Sequence, residues 1–212
     1  MTSQELLDET RCIIDDTALP YGWSDLRLLN WLAKGQDEFC RKTGFWIDRT
    51  TFTITTVLGQ LDYPLDSRII EVKSVWDGVT KLTRYKEDDR PTGVTQDVQR
   101  PMFYQTDGET NVLSLIAPPS EAGIVLTLRA HRKAILPITE INAPEIPEEF
   151  QLALPEYAAY RAFGDHDREL QDPVKSVDHL NNFMRYVREG GAALRRRSDS
   201  NTEVDANPLY VV

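Results

Sequence analysis

Cysteine is scarce in this chain: only Cys12 and Cys40 occur among 212 residues. Two thiols cannot build a disulfide framework, and these two lack metal-ligand spacing. Both fall in apolar helical patterns and read as small buried hydrophobes. Histidine is nearly as rare, with His131, His166 and His179 the only three. Nucleophilic catalysis needs a histidine oriented by a third group, an arrangement the order of residues does not display. A glycine-rich phosphate loop is missing too. Gly108 and Gly190-Gly191 lack the context of a dinucleotide fingerprint or a Walker motif, and no G-x-S-x-G elbow occurs. No apolar run approaches the roughly 18 residues that span a bilayer. The opening Met1-Thr2-Ser3-Gln4-Glu5 has no basic or apolar character, so we expect no secretory signal, no membrane association, and synthesis in a cytosol. These absences leave an expectation of no enzyme activity, no cofactor and no metal.

Excess positive charge is also absent. The chain carries 34 acidic against 24 basic residues, a net charge of −10. That excludes a general nucleic-acid binder, which needs a basic footprint. It is compatible with plain solubility charge and also with a protein lining a DNA conduit, whose acidic walls would repel phosphate. Asp165-His166-Asp167-Arg168-Glu169 is the one cluster with metal-ligand chemistry. Its interhelical position and internal arginine favour a solvated charged turn. Glu148-Glu149 reads as a helix start rather than an acid–base pair. Trp23, Trp31, Trp46 and Trp76 are scattered over different elements, so they do not form a base-stacking platform and fit a core or subunit contacts.

What is present divides into helices, strands and helices again. Thr2 and Glu5 fit a capping box ahead of a short helix through about Asp15. Leu19-Pro20-Tyr21-Gly22 breaks it. Ser24 caps a second helix, with Leu26, Leu29, Leu32, Ala33, Phe39 and Cys40 near the 3.6-residue period and Gly44 as its stop. Thr51–Val57 alternates and is β-branched, hence a strand. Ile69–Trp76 closed by Asp77-Gly78 is a second strand with a hairpin turn, and Val79–Tyr85 is its candidate return. Lys86–Arg100 reads as a long polar loop. Met102–Thr106, Asp107-Gly108 and Val112–Ile116 form another hairpin. Ile124–His131 alternates, with Ile124, Leu126, Leu128 and Ala130 facing in. Lys133–Pro147 is irregular. A helix then opens at Pro147 and carries Phe150, Leu154, Tyr157 and Phe163, with Pro155 expected to kink or split it. Asp172-Pro173 starts a last helix with the stripe Val174, Val177, Leu180, Phe183, Met184 and Val187, ending at Gly190.

The fold class that follows is α+β: a helical bundle from N- and C-terminal helices, an inserted antiparallel β module, and an extended C-terminal arm. The expected divisions are 1–45 for the N-terminal helices and 46–132 for the β module. Residues 133–190 hold C-terminal helices packing on 1–45, and 191–212 form a flexible arm. The arm carries Arg195, Arg196 and Arg197, then Ser198 to Asn201, and finishes on Leu209, Tyr210, Val211 and Val212. Its apolar, β-prone tip gains little in an isolated monomer but can order on a neighbour. The arginines read either as a solubility feature or as contacts to an acidic partner or phosphate.

Several segments resemble one known family. Thr53–Leu65 contains the pattern T-x-x-G-x-x-x-Y-x-L in a strand and turn. Ile69–Gly78 follows. Pro101-Met102-Phe103-Tyr104 precedes Leu113–Pro119, and Ile146-Pro147-Glu148-Glu149-Phe150 leads to Leu154–Ala162. Taken in this order over about Leu26 to Arg188, they are similar to the head-to-tail connector, or adaptor, proteins of tailed bacteriophages. Pro155 departs from the continuous helix expected there. The resemblance implies a non-enzymatic virion protein at the head–tail neck. It implies a homo-oligomeric ring, expected as a dodecamer, beneath the portal protein. Such a ring helps retain packaged DNA, passes it without sequence-specific binding, and offers a surface to tail or nozzle proteins. In such a ring the helical body forms the circle and the β module projects outward or toward the tail. The arm residues Arg195, Arg196, Arg197, Leu209, Tyr210, Val211 and Val212 would then dock on the portal or on an adjacent subunit. Two other readings come from different classes. One is a tail accessory module, a carbohydrate- or peptide-binding β-sandwich on a helical base. The other is a hydrolase using the His166 cluster.

Overall fold

The structure, a computed structural model, describes residues 1–85, 100–107, 110–165 and 171–202, with side chains to Arg196 in the last segment. The chain divides into two compact units. One joins Met1–Phe45 to Ala134–Val212; the other is Trp46–Lys133.

Four α-helices build the first unit: α1 (Ser3–Ile13), α2 (Asp25–Thr43), α3 (Ala153–Phe163) and α4 (Pro173–Thr202). Local chemistry starts each one. At α1 the Glu5 amide donates to Thr2 Oγ1 at 3.2 Å, and the Thr2 amide donates to Glu5 Oε2 at 2.7 Å, so two orphan amides are satisfied reciprocally. Ser24 caps α2, and Gly44 ends it at φ 61°, a left-handed conformation that costs glycine nothing. Asp172 accepts from the Val174 and Lys175 amides, both at 3.1 Å, ahead of Pro173. Between α1 and α2, buried Arg11 donates to Asp16 at 2.7 Å and to the Trp23 carbonyl at 3.0 Å. It also pairs with Asp25 and lies 3.7 Å over the Tyr21 ring. A buried guanidinium so fully partnered fixes the turn between the two helices.

The helix expected from Pro147 is split. Glu148–Phe150 is a short 3₁₀ turn, and α3 begins only at Ala153. Pro155 therefore lies in the first turn of α3, where an amide has no intrahelical partner to lose.

Gly190 does not end α4, contrary to the sequence expectation. The helix continues to Thr202, so residues 191–202 of the expected arm are helical and 203–212 lie outside the described residues. Tertiary packing explains the difference. A Cβ on Gly190 would sit 2.8 Å from Phe39 Cζ, so glycine here permits close helix approach. The following Ala192-Ala193-Leu194-Arg195 are strong helix formers that carry the element on. Gly35 plays the matching role on α2, where an added Cβ would sit 3.1 Å from Tyr157 Cγ of α3. The apolar stripe of α4 is narrower than expected. Phe183 and Val187 are buried, while Val174 is 72% exposed and Val177 is also exposed.

The second unit is built from two sheets. In the first, the order is β1 (Ile47–Asp48), β9 (Val125–Arg132), β4 (Ile69–Asp77) and β5 (Thr80–Lys81), with β2 (Thr53–Thr55) also pairing β9. In the second, the order is β3 (Asp62–Pro64), β8 (Val112–Leu115), β7 (Phe103–Asp107) and β6 (Thr83–Arg84). All pairs are antiparallel except β6 with β7, which is parallel, so the module is mixed rather than purely antiparallel. Both sheets contribute to one core, including Phe52, Tyr63, Val75, Leu82, Tyr104, Leu113, Leu126 and Leu128. Leu126, Leu128 and Ala130 of β9 all point inward, as its alternation predicts. Of the expected polar loop Lys86–Arg100, residues 86–99 lie outside the described residues.

Candidate assembly surfaces

Of the residues assigned to partner docking, Arg195, Arg196 and Arg197 fall at the far end of α4. Arg195 and Arg196 are exposed there, and Arg196 Nε donates to the Ala192 carbonyl at 3.5 Å. Arg197 is in the helix, with its side chain outside the described residues, as are Leu209, Tyr210, Val211 and Val212. The His166 cluster is also outside them, apart from Asp165, which pairs with Arg27. Among the described residues no three His, Cys, Asp or Glu side chains group to hold a metal ion. No described helix is long and apolar enough to cross a membrane.

Contacts along the bundle fix where α4 leads. Beside the start of α4, Ser176 Oγ donates to the Tyr160 carbonyl of α3 at 3.0 Å. Asp165, just past α3, pairs with Arg27 at the start of α2. Midway, the Tyr157 and Phe183 rings meet edge to face at 5.1 Å, and Gly35 of α2 faces Tyr157. His179 Nδ1 lies 2.7 Å from Glu156 Oε2. Farther along, Gly190 meets Phe39 and Thr43 at the end of α2. α3 is thus antiparallel to both α2 and α4, and α2 and α4 run the same way. From Gly190 to Thr202 the helix advances about 18 Å beyond the level of that contact, at 1.5 Å per residue.

The sequence pattern missed an apolar groove at the opposite end of the bundle. Leu26, Leu29 and Asn30 of α2 face Pro137, Ile138, Thr139, Glu140 and Ile141 across a cavity of about 340 Å³. Leu29 and Ile138 are buried and form its floor. Leu26 is 71% exposed and Ile141 is 93% exposed; Leu26 was expected on the inner face of α2. The 137–142 segment is held in a tight turn. Thr139 Oγ1 accepts from the Ile141 and Asn142 amides at 3.3 and 3.0 Å, and Ser3 Oγ of α1 donates to the Asn142 carbonyl at 2.9 Å. Ile141 is thus presented to solvent on an ordered turn. An apolar side chain displayed this way marks an interaction surface when it belongs to a contiguous patch.

The β unit has its own apolar rim. Val57, Leu58 and Leu61 follow β2, and Val79, at the β4–β5 turn, is 94% exposed. Thr55 pairs with Val125, and Asp77 with Leu126, so these side chains gather at one end of the module together with exposed Val125. Several carboxylates of the module are held in ion pairs. Arg68 grips Asp66 from Nε and Nη2 at 2.9 and 2.6 Å, and with the Arg68 amide this lowers the Asp66 carboxyl to about 2. At Asp48, burial works against ionisation, but the Thr51 and Thr50 amides and nearby Arg132 outweigh it and lower the pKa. Lys73 lowers Glu71 chiefly through a hydrogen bond.

The helical unit thus carries a long terminal helix and an apolar groove, and the inserted two-sheet module carries an apolar rim. The chain belongs to the SU10 adaptor protein family, whose model matches residues 1–208. It is accordingly a structural adaptor of a bacteriophage. No curated protein matches the chain.

Proposed function

We propose that the chain is the head-to-tail adaptor of a tailed phage, assembling as a ring beneath the portal at the neck of the virion. The observation that carries this reading is the extent of the family match, which runs to residue 208 and so takes in the whole of α4 and most of the segment beyond it. In this reading the helical unit forms the ring, the favoured state being a dodecamer. A ring uses two different faces per subunit, and the groove and the projecting end of α4 lie at opposite ends of the bundle. Arg195, Arg196 and Arg197 meet an acidic partner or DNA phosphate, and Leu209–Val212 docks on a protein neighbour. Arms repeated around a ring gain from multivalency. The apolar rim of the β unit offers the surface for tail proteins. The net charge of −10 lets DNA pass through the ring without adhering.

Purified portal protein tests this. The adaptor should co-sediment with it as a ring-bearing complex visible by negative-stain microscopy. A chain that never co-sediments with portal, at any salt concentration, is not an adaptor of this kind.

A further inference from the structure

The structure has an apolar groove at one end of the helical bundle and a helix leaving from the other, and ten further residues follow that helix. We infer that the groove floored by Leu29 and Ile138 and walled by Leu26 and Ile141 receives residues Leu209–Val212 of a second copy of this chain. The inference rests on the arm-docking reading above and names the socket.

Chemistry and reach both select this occupant. Between Arg195 and Val212, Leu209-Tyr210-Val211-Val212 is the one apolar run, since residues 195–208 are charged or polar apart from Val204, Ala206 and Pro208. The groove is lined mainly by aliphatic side chains, with Asn30, Thr139 and Glu140 at its polar positions. A short apolar segment laid there covers Leu26 and Ile141, and Asn30 and Glu140 face its backbone. Reach then excludes the chain's own tip. Thr202 lies about 18 Å past the Gly190 contact, and the groove lies about 20 Å back along α2 from the same level. The seven residues from Thr202 to Leu209 span at most about 25 Å when extended, well short of the sum. The tip must therefore seat in another copy, and such a contact, repeated head to tail, generates a closed ring or a filament.

The test is site-directed crosslinking in the full-length protein with Cys12, which is exposed rather than buried as its helical pattern suggested while Cys40 is buried, changed by Cys12→Ser. Copies carrying Ile141→Cys are mixed with copies carrying Tyr210→Cys under mild oxidation, both alone and in the portal-bound complex. The expected result is a disulfide between two chains, forming at least about tenfold faster than with Val79→Cys as the partner, because docking raises the effective concentration. Both Ile141 and Val79 are solvent-exposed, so neither substitution disturbs a core. The double variant with both cysteines in one chain should give linked multimers. Closure within one chain would overturn the second-copy assignment. Absence of the inter-chain bond in both preparations, with portal co-sedimentation retained, overturns the groove and leaves the adaptor reading standing. Loss of co-sedimentation removes the adaptor reading instead, and the crosslink formed by the protein alone still decides the groove. Ile141→Asp supplies a second measure: it should weaken self-association by at least about tenfold, since a charge would be buried against the apolar tip, while unchanged self-association overturns the inference.

Discussion

Gly190 and Gly191 are neighbours in α4, yet the same substitution should have opposite signs at the two positions. A Cβ on Gly190 meets Phe39 Cζ at 2.8 Å, whereas one on Gly191 meets nothing within 4 Å. Gly190→Ala should therefore cost about 1–3 kcal/mol through overpacking, and Gly191→Ala should add about 0.5–1 kcal/mol by restricting the unfolded chain and improving helix propensity. Urea denaturation followed by helical circular dichroism measures both; equal effects would mean that Gly190 does not hold the helices at close approach. In the other unit, Asp66 sets a pH dependence. Its folded pKa of about 2 lies below the ordinary 3.8, so the ionised carboxylate favours the folded state. That contribution is complete above about pH 4 and is lost as pH falls through 4 toward 2. Asp48 and Glu71 are lowered as well and act in the same direction. Asp66 is largely solvated, so screening keeps its share below about 1 kcal/mol. Acid titration of the β unit's stability should show the loss, and Asp66→Asn should shrink it.

Elements were readable from sequence where their determinants are local. Thr2 with Glu5, Ser24, Gly44 and Asp172-Pro173 each satisfy or end backbone hydrogen bonding within a few residues, and their roles in the structure match. The alternation of β9 was equally legible, because one face of the strand is buried along its length. Determinants distant in sequence were not. Whether a glycine stops a helix or lets another helix approach depends on what lies opposite, and Phe39 is far from Gly190 in the chain. Leu26 fits the period of α2 but points into a groove completed by residues 137–141, which no periodicity reports. The parallel pairing of β6 with β7 is likewise invisible to a local pattern. The extended α4 has a packed part and a part that runs past the packing. Its buried positions end near Gly190, so deleting residues 197–212 should leave the melting temperature of the helical unit within a few degrees while reducing self-association or portal docking at least about tenfold. Calorimetry and sedimentation velocity measure the two sides; a truncated chain that assembles like the full one would relocate assembly away from the arm.

At the scale of the whole molecule, the β unit enters and leaves the helical unit at adjacent points. Ile47 pairs with His131, and the Arg132 amide donates to the Trp46 carbonyl at 3.2 Å. Paired antiparallel strands lie about 5 Å apart, so a linker of about four glycine and serine residues bridges Phe45 to Ala134 without strain. The core shared by the two sheets is drawn entirely from residues 52–130. Such an insertion should be separable. Residues 46–133 expressed alone should fold with a β-type circular dichroism spectrum and a cooperative thermal transition, and the linked helical unit should fold with a helical one. The division also distributes the proposed contacts. The groove, the arginines of α4 and the 203–212 segment all belong to the helical unit, while the rim around Val57 and Val79 belongs to the β unit. The linked helical unit should therefore self-associate and bind portal with affinity within about tenfold of the full chain, a difference of about 1.4 kcal/mol, and should recruit no tail protein. Retained portal binding with lost tail recruitment, measured by co-sedimentation against each partner, would assign the two ends of the junction to the two units. A well-folded helical unit that fails to bind portal would instead place that contact on the inserted module.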